Sequence, residues 1–262
     1  MGPHPQPVVV LTGASKGLGL AVASILLGSL KATVVAISRT RTPQLTQLAT
    51  SHPHDLRIID CNVTDEPALS QAISSVGTDY GRIDALILNA AALDPVGRIE
   101  DSNNSLDKWR THFDVNVFSL LTAIKAALPS LRQSPIGGRI VFVSSGAATG
   151  GVAGWGAYNA SKAAMNSICR TLATEEKGVI SVAVRPGKVD TSMQLQIREQ
   201  GGSHMVKTVH ESFVREHAEG KLLPPDVPGH VIAGLALRAP SALSGQFVSW
   251  DGDECNDFRK HV

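Results

Sequence analysis

The chain has 262 residues, 43% of them hydrophobic but only 4% aromatic, and its 24 Lys and Arg face 23 Asp and Glu. That apolar content supplies one large core or two small ones, filled mostly by Val, Ile, Leu and Ala, as buried parallel strands and their covering helices require. The charge balance argues against a nucleic acid or anionic membrane partner, and a small ligand is expected instead.

In chain order, short β-branched or aliphatic runs predict seven strands: Val8 to Thr12, Thr33 to Ser38, Leu56 to Asp60, Ala85 to Asn89, Arg139 to Val143, Ile180 to Arg185 and Gln246 to Ser249. Helical periodicity fills the intervals near 18 to 29, 43 to 51, 66 to 80, 106 to 131, 157 to 176 and 227 to 238. This alternation predicts a Rossmann-type, doubly wound parallel sheet in a three-layer α/β/α single domain over 1 to 262. Thr191 to Pro225 breaks the rhythm: it is polar, contains Gly201-Gly202 and ends in Pro224-Pro225. It reads as an insertion covering the carboxyl edge of the sheet, a substrate lid. Ligands of open α/β sheets bind outside the carboxyl ends of the strands, so residues there are the ones to inspect.

The first strand runs through Thr12-Gly13-Ala14-Ser15-Lys16-Gly17-Leu18-Gly19 into an apolar helix. Glycines there permit a sharp turn and let a pyrophosphate approach backbone N–H groups at the positive helix end. A tight turn with close helix packing would use the same residues; their place after an N-terminal strand favours the nucleotide. The second strand ends in Ser38-Arg39, where an NAD site usually carries an acid for the ribose 2′-hydroxyl. Arg39 suits a 2′-phosphate instead, aided by Lys16, which points to NADPH/NADP+ over NADH. Asp60 and Asn89, at the ends of the third and fourth strands, are candidates for the adenine amino group and the adenosine side, or cap the following turns.

Tyr158 and Lys162 stand four apart in a helix-forming run and so share one face. A phenol ordinarily titrates near 10; a Lys162 ammonium and the helix N-terminus would lower that value toward one suited to proton transfer. An amphipathic Tyr with a surface Lys is the plain alternative. Ser145, after the fifth strand, is placed to hydrogen-bond a carbonyl oxygen. No GxSxG elbow or suitably placed histidine supports a serine nucleophile. Asn116, mid-helix among core-like residues, offers its amide to a buried water or a backbone carbonyl, or is simply a satisfied core asparagine.

The set in this order resembles the short-chain dehydrogenase/reductase family. The matching segments are Thr12 to Gly19, Asp60, Asn89-Ala90-Ala91, Asn116, Ser145, Tyr158 to Lys162 and Pro186-Gly187-Lys188-Val189-Asp190-Thr191. Leu88 and Ala91 depart from the family's usual Asn and Gly. The resemblance implies Tyr158 as proton donor, Ser145 orienting the carbonyl, Lys162 lowering the Tyr pKa and holding the ribose, and Asn116 supporting a proton-relay water. It also places Pro186, Val189 and Thr191 at the nicotinamide and implies a homodimer or homotetramer. Trp155 to Tyr158, Arg185 to Met193 and Ser244 to Trp250 look most like fungal benzil-reductase and sepiapterin-reductase-like members, which implies a vicinal dicarbonyl or aryl ketone.

The expected activity is NADPH-dependent reduction of a small-molecule carbonyl, with Trp155 and Met193 in the pocket. An NAD-dependent alcohol dehydrogenase working in the oxidising direction and a non-catalytic NADP(H)-binding sensor are the alternatives. Nine histidines show no metal-ligand spacing, so no metal is expected. Cys61, Cys169 and Cys255 form no disulfide or CxxC pattern. With no signal-peptide pattern or membrane-length apolar run, a cytoplasmic location is expected.

Overall fold

The computed structural model describes residues 6–260. Seven strands, β1 (Val8–Thr12), β2 (Thr33–Ser38), β3 (Leu56–Asp60), β4 (Ala85–Leu88), β5 (Gly138–Val143), β6 (Val179–Arg185) and β7 (Phe247–Ser249), form one sheet in the order β3-β2-β1-β4-β5-β6-β7. Every pairing is parallel. Side chains alternate across each strand, so both faces need cover. Val9 and Leu11 pack toward α1 (Gly17–Gly28) and α9 (Asp226–Arg238), whereas Val8 and Val10 pack toward α3 (Glu66–Tyr80), α5 (Ser119–Leu131) and α6 (Gly156–Glu175). The result is the three-layer, doubly wound arrangement expected from the alternation.

Local chemistry sets several helix starts. Thr42, before α2 (Pro43–Ser51), accepts the Leu45 N–H at 3.2 Å, and Asp65, before α3, accepts that of Ala68 at 3.1 Å. Each cap is followed by a proline within the first two helical positions, where a missing N–H costs nothing. Gly81 ends α3 at φ +70, the left-handed conformation that favours glycine.

The expected helix over 106–131 is divided. The segment α4 (Leu106–Phe113) passes through a π-helical turn at Asp114–Phe118 before α5 begins. Periodicity does not announce this widening, which turns the Asn116 amide onto the Ala92 backbone. The interval 191–225, expected as a polar insertion outside the strand–helix rhythm, folds as α7 (Ser192–Gln200), a short 3₁₀ turn and α8 (Lys207–Ala218). Its two ends are stitched together beside β6, where Asp190 N donates to Leu223 O and Leu223 N to Lys188 O, both at 2.9 Å.

At the opposite edge the buried carboxylate of Asp84 ties the starts of β1 and β4. It accepts the Val8 N–H at 2.8 Å, two Arg82 bonds at 2.7 Å each and the Ser134 hydroxyl at 2.5 Å. Removing a buried anion of this kind strands its partners. Asp84→Ala should therefore cost about 3 kcal/mol or more of unfolding free energy in a urea titration, and a loss under about 1 kcal/mol would contradict this role.

Candidate active site

At the carboxyl edge, between β1 and β4, the chain leaves adjacent strands toward opposite faces of the sheet and opens a crevice. There a cavity of ≈ 750 Å³ is lined by every residue singled out above for catalysis or cofactor binding except Asp60 and Asn116. Trp155 and Met193 also line it.

The glycine turn after β1 is held from β4. Asn89 Nδ2 donates to the carbonyls of Thr12 and Gly13 at 3.0 Å each, and Thr12 Oγ1 accepts the N–H groups of Asn89 and Ala90 at 3.1 Å each. Gly13 has φ +72, and a Cβ there would meet Ala90 Cα at 2.8 Å; one on Gly19 would lie 2.2 Å from Gly13 O. Side chains are excluded at both positions by neighbouring backbone. The first turn of α1 has no acidic residue, and Lys16 at its N-cap makes no side-chain capping bond. These features fit an anionic phosphate against the turn's N–H groups. Lys16 and Arg39 are exposed at the rim of the same cavity.

Tyr158 lies in the first turn of α6 and is 7% exposed; Lys162, one turn on, is 2% exposed. Lys162 Nζ donates to Val143 O at 2.8 Å and sits 5.6 Å from the Tyr158 ring centroid. Burial lowers the lysine to about 7. Burial also raises the Tyr158 phenol, with the Ser145 hydroxyl pulling the other way. The expected depression of the phenol by Lys162 is thus not what this environment produces, because desolvation disfavours charge on both groups. Ser145 also caps the short turn after β5, accepting the Ala147 N–H at 3.2 Å.

Beyond Tyr158 the cavity wall is apolar, built from Leu93, Ala147, Trp155, Ile197 and Phe213. Trp155 meets Tyr158 edge-on at 5.8 Å between ring centroids and Phe213 at 5.7 Å. The site therefore joins an anion cradle, a buried phenol–ammonium–hydroxyl group and an apolar chamber.

The family model for short chain dehydrogenases matches residues 7–202. The chain belongs to the short-chain dehydrogenase/reductase family. It is similar to an uncharacterized oxidoreductase of Schizosaccharomyces pombe, 40% identical over 94% of this chain and 96% of that protein. It is 36% identical to an (S)-benzoin-forming benzil reductase of Saccharomyces cerevisiae over 94% of this chain and 96% of that one. The crystal structure of a Saccharomyces cerevisiae short-chain dehydrogenase/reductase superposes with a TM-score of 0.91 at 33% identity, covering 97% of this chain and all of that one. This short-chain dehydrogenase/reductase is accordingly an oxidoreductase, and the resemblance read from its sequence holds.

Within this family member, two expected site residues stand elsewhere. Asp60 does not line the cavity; Arg41 Nε binds both of its carboxylate oxygens at 2.9 Å. Asn62 and Val63, just past β3, line the wall instead, a position that inspection of strand ends reaches only by reading two residues further. Asn116 is fully buried behind the wall, where its Oδ1 accepts the Ala92 N–H at 2.8 Å and its Nδ2 donates to Ala92 O at 2.9 Å. The same Nδ2 approaches His112 Nε2 at 2.9 Å and Ser161 Oγ at 3.2 Å. Burial lowers His112, so its neutral ring gives Nδ1–H to Asp94 O at 2.5 Å and leaves Nε2 to accept. Asn89, expected on the adenosine side, lines the cavity but commits its amide to the glycine turn. His112 and Ser161 were not singled out from sequence, although each lies one helical turn from a residue that was. Among the described residues, no group of three or more His, Cys, Asp or Glu is placed to hold a metal ion, and no helix is long and apolar enough to cross a membrane.

The lysine has a consequence for stability. Its folded value of about 7 lies below the ordinary 10.5, so between the two the unfolded chain binds the extra proton and stability rises with pH. The cost of burying the charge is complete below about pH 7 and absent above about pH 10.5. In melts of the protein without added ligands, the stability of wild type relative to Lys162→Met should rise from about pH 7 to about pH 9, by at most about 1.4 kcal/mol per pH unit. A difference independent of pH would contradict the assignment.

Proposed function

We propose that the protein is an NADPH-dependent carbonyl reductase acting on small apolar ketones, vicinal dicarbonyls among them. The observation that carries this reading is the buried Tyr158, flanked by Ser145 and Lys162, between the phosphate cradle and the apolar chamber. The nicotinamide, when bound, supplies the hydride. Tyr158 supplies the proton: burial keeps the phenol protonated at neutral pH, and an alkoxide developing on the substrate is the stronger base. Ser145 donates a hydrogen bond to the same oxygen as negative charge builds there. Lys162, near 7, changes its own charge readily and favours the transient phenolate when protonated.

Lys16 and Arg39 are assigned to the 2′-phosphate; Arg39 has no carboxylate partner among the described residues. Pro186, Val189 and Thr191 are assigned to the nicotinamide end of the cavity. Asn116 is assigned a positioning role through Ala92, His112 and Ser161. The 191–225 segment is read as a cover within a single domain. Exposed Phe118 and Leu121 support self-association through the α5 face, and three free, buried cysteines accord with a reducing cytoplasm. The benzil-reducing relatives and the aromatic lining of the chamber support an aryl-substituted substrate.

Tyr158→Phe should lower turnover with an aryl ketone by about 100-fold or more and leave NADPH affinity within about threefold. Substantial residual turnover would contradict the proton assignment. Arg39→Asp, measured by cofactor fluorescence, should weaken NADPH at least about tenfold more than NADH. Equal loss for both would remove the 2′-phosphate assignment.

A further inference from the structure

Two residues of the cavity lining carry buried polar groups that the chemistry above does not use. Gln194, two residues into α7, is 3% exposed and lines the cavity, yet neither end of its carboxamide has a hydrogen-bond partner. It shares a helix face with Ile197, three residues on, which packs in the same cluster as Tyr158, Trp155 and Phe213. The indole Nε1 of Trp155 is likewise buried without a partner. An unpaired buried amide or indole N–H is costly, so a native fold keeps one where something else completes it. Apolar cover would serve these positions better if the chamber took only hydrocarbon.

We propose that Gln194, with the unpaired Trp155 indole in the lining of the same cavity, binds a second oxygen of the substrate on the carbon next to the reacting carbonyl, and so selects vicinal dicarbonyls over simple ketones. This rests on the carbonyl reductase reading. A carbonyl oxygen only accepts, and the Gln194 Nε2 and Trp155 Nε1 groups are donors that lack an acceptor. The reacting oxygen belongs to Tyr158 and Ser145; the second, on the neighbouring carbon, is left for the unpaired donors of the lining. A site built to bond a polar group discriminates strongly against the analogue lacking it, because the site's own groups are then left unpaired.

Benzil and deoxybenzoin differ by one carbonyl replaced with CH₂ and serve as the probe pair. Gln194→Met keeps side-chain length and removes both hydrogen-bonding ends. The ratio of kcat/KM for benzil to that for deoxybenzoin should fall by about tenfold or more, mainly through KM for benzil. NADPH affinity should stay within about twofold, and the melting temperature of the protein alone should not fall, since an unpaired buried amide has been removed. Equal loss for both ketones would overturn the proposal, as would weakened NADPH binding, which would assign Gln194 to the cofactor. If wild type reduces neither ketone while binding NADPH, the carbonyl reductase reading fails, and the Gln194 assignment fails with it.

Discussion

The exchange of hydrogen bonds between Thr12 and Asn89 is the constraint from which the rest of the site follows. It locks the ends of β1 and β4 where the sheet changes winding direction, and it fixes the glycine turn through the carbonyls of Thr12 and Gly13. The linkage continues. Three residues beyond Asn89, Ala92 is clamped through both backbone polar groups by Asn116, whose amide also reaches Ser161, and Ser161 Oγ donates to Tyr158 O at 2.9 Å. Hydrogen bonds, with the short stretch of chain from Asn89 to Ala92, thus connect the glycine turn to the backbone of Tyr158. Such a network is rigid when every member is satisfied.

Against that frame the site keeps groups that folding alone would not choose. Lys162 is almost fully buried with one carbonyl partner, Tyr158 is buried against it, and Gln194 has none. Each lowers stability on its own, and all three residues line one cavity. Desolvation shifts both titrating groups, Tyr158 and Lys162, toward neutrality. The offset comes from the apolar layers on either side of the sheet, where strands such as Val8–Thr12 are buried on both faces.

Much of this was legible in the sequence, because a parallel sheet writes itself as short aliphatic runs and a glycine turn has a fixed place after the first of them. Strand limits differ by one residue at most, as at Asn89, which lies just past β4. Tyr158, Lys162 and Ser145 were reachable because four-residue spacing and a strand end are local facts. What was not legible depends on contacts distant in sequence. The capture of Asp60 by Arg41, the identity of Ala92 as the backbone partner expected for the Asn116 amide, and the burial of His112 and Gln194 involve partners or packing that no window of residues contains. The helical content of 191–225 was hidden because its polar composition suppresses the apolar stripe, and only its packing over the chamber reveals the buried face of Ile197 and Phe213.

Direct hydride delivery to a substrate carbonyl held beside Tyr158 is the central proposal for this protein, and isotopic labelling tests it most directly. With NADPH deuterated at the transferable position of nicotinamide C4 and benzil as substrate, the wild-type protein should form benzoin carrying the label on its carbinol carbon, one for each NADPH consumed. Unlabelled benzoin, or no NADPH oxidation with benzil or any other ketone, would contradict it.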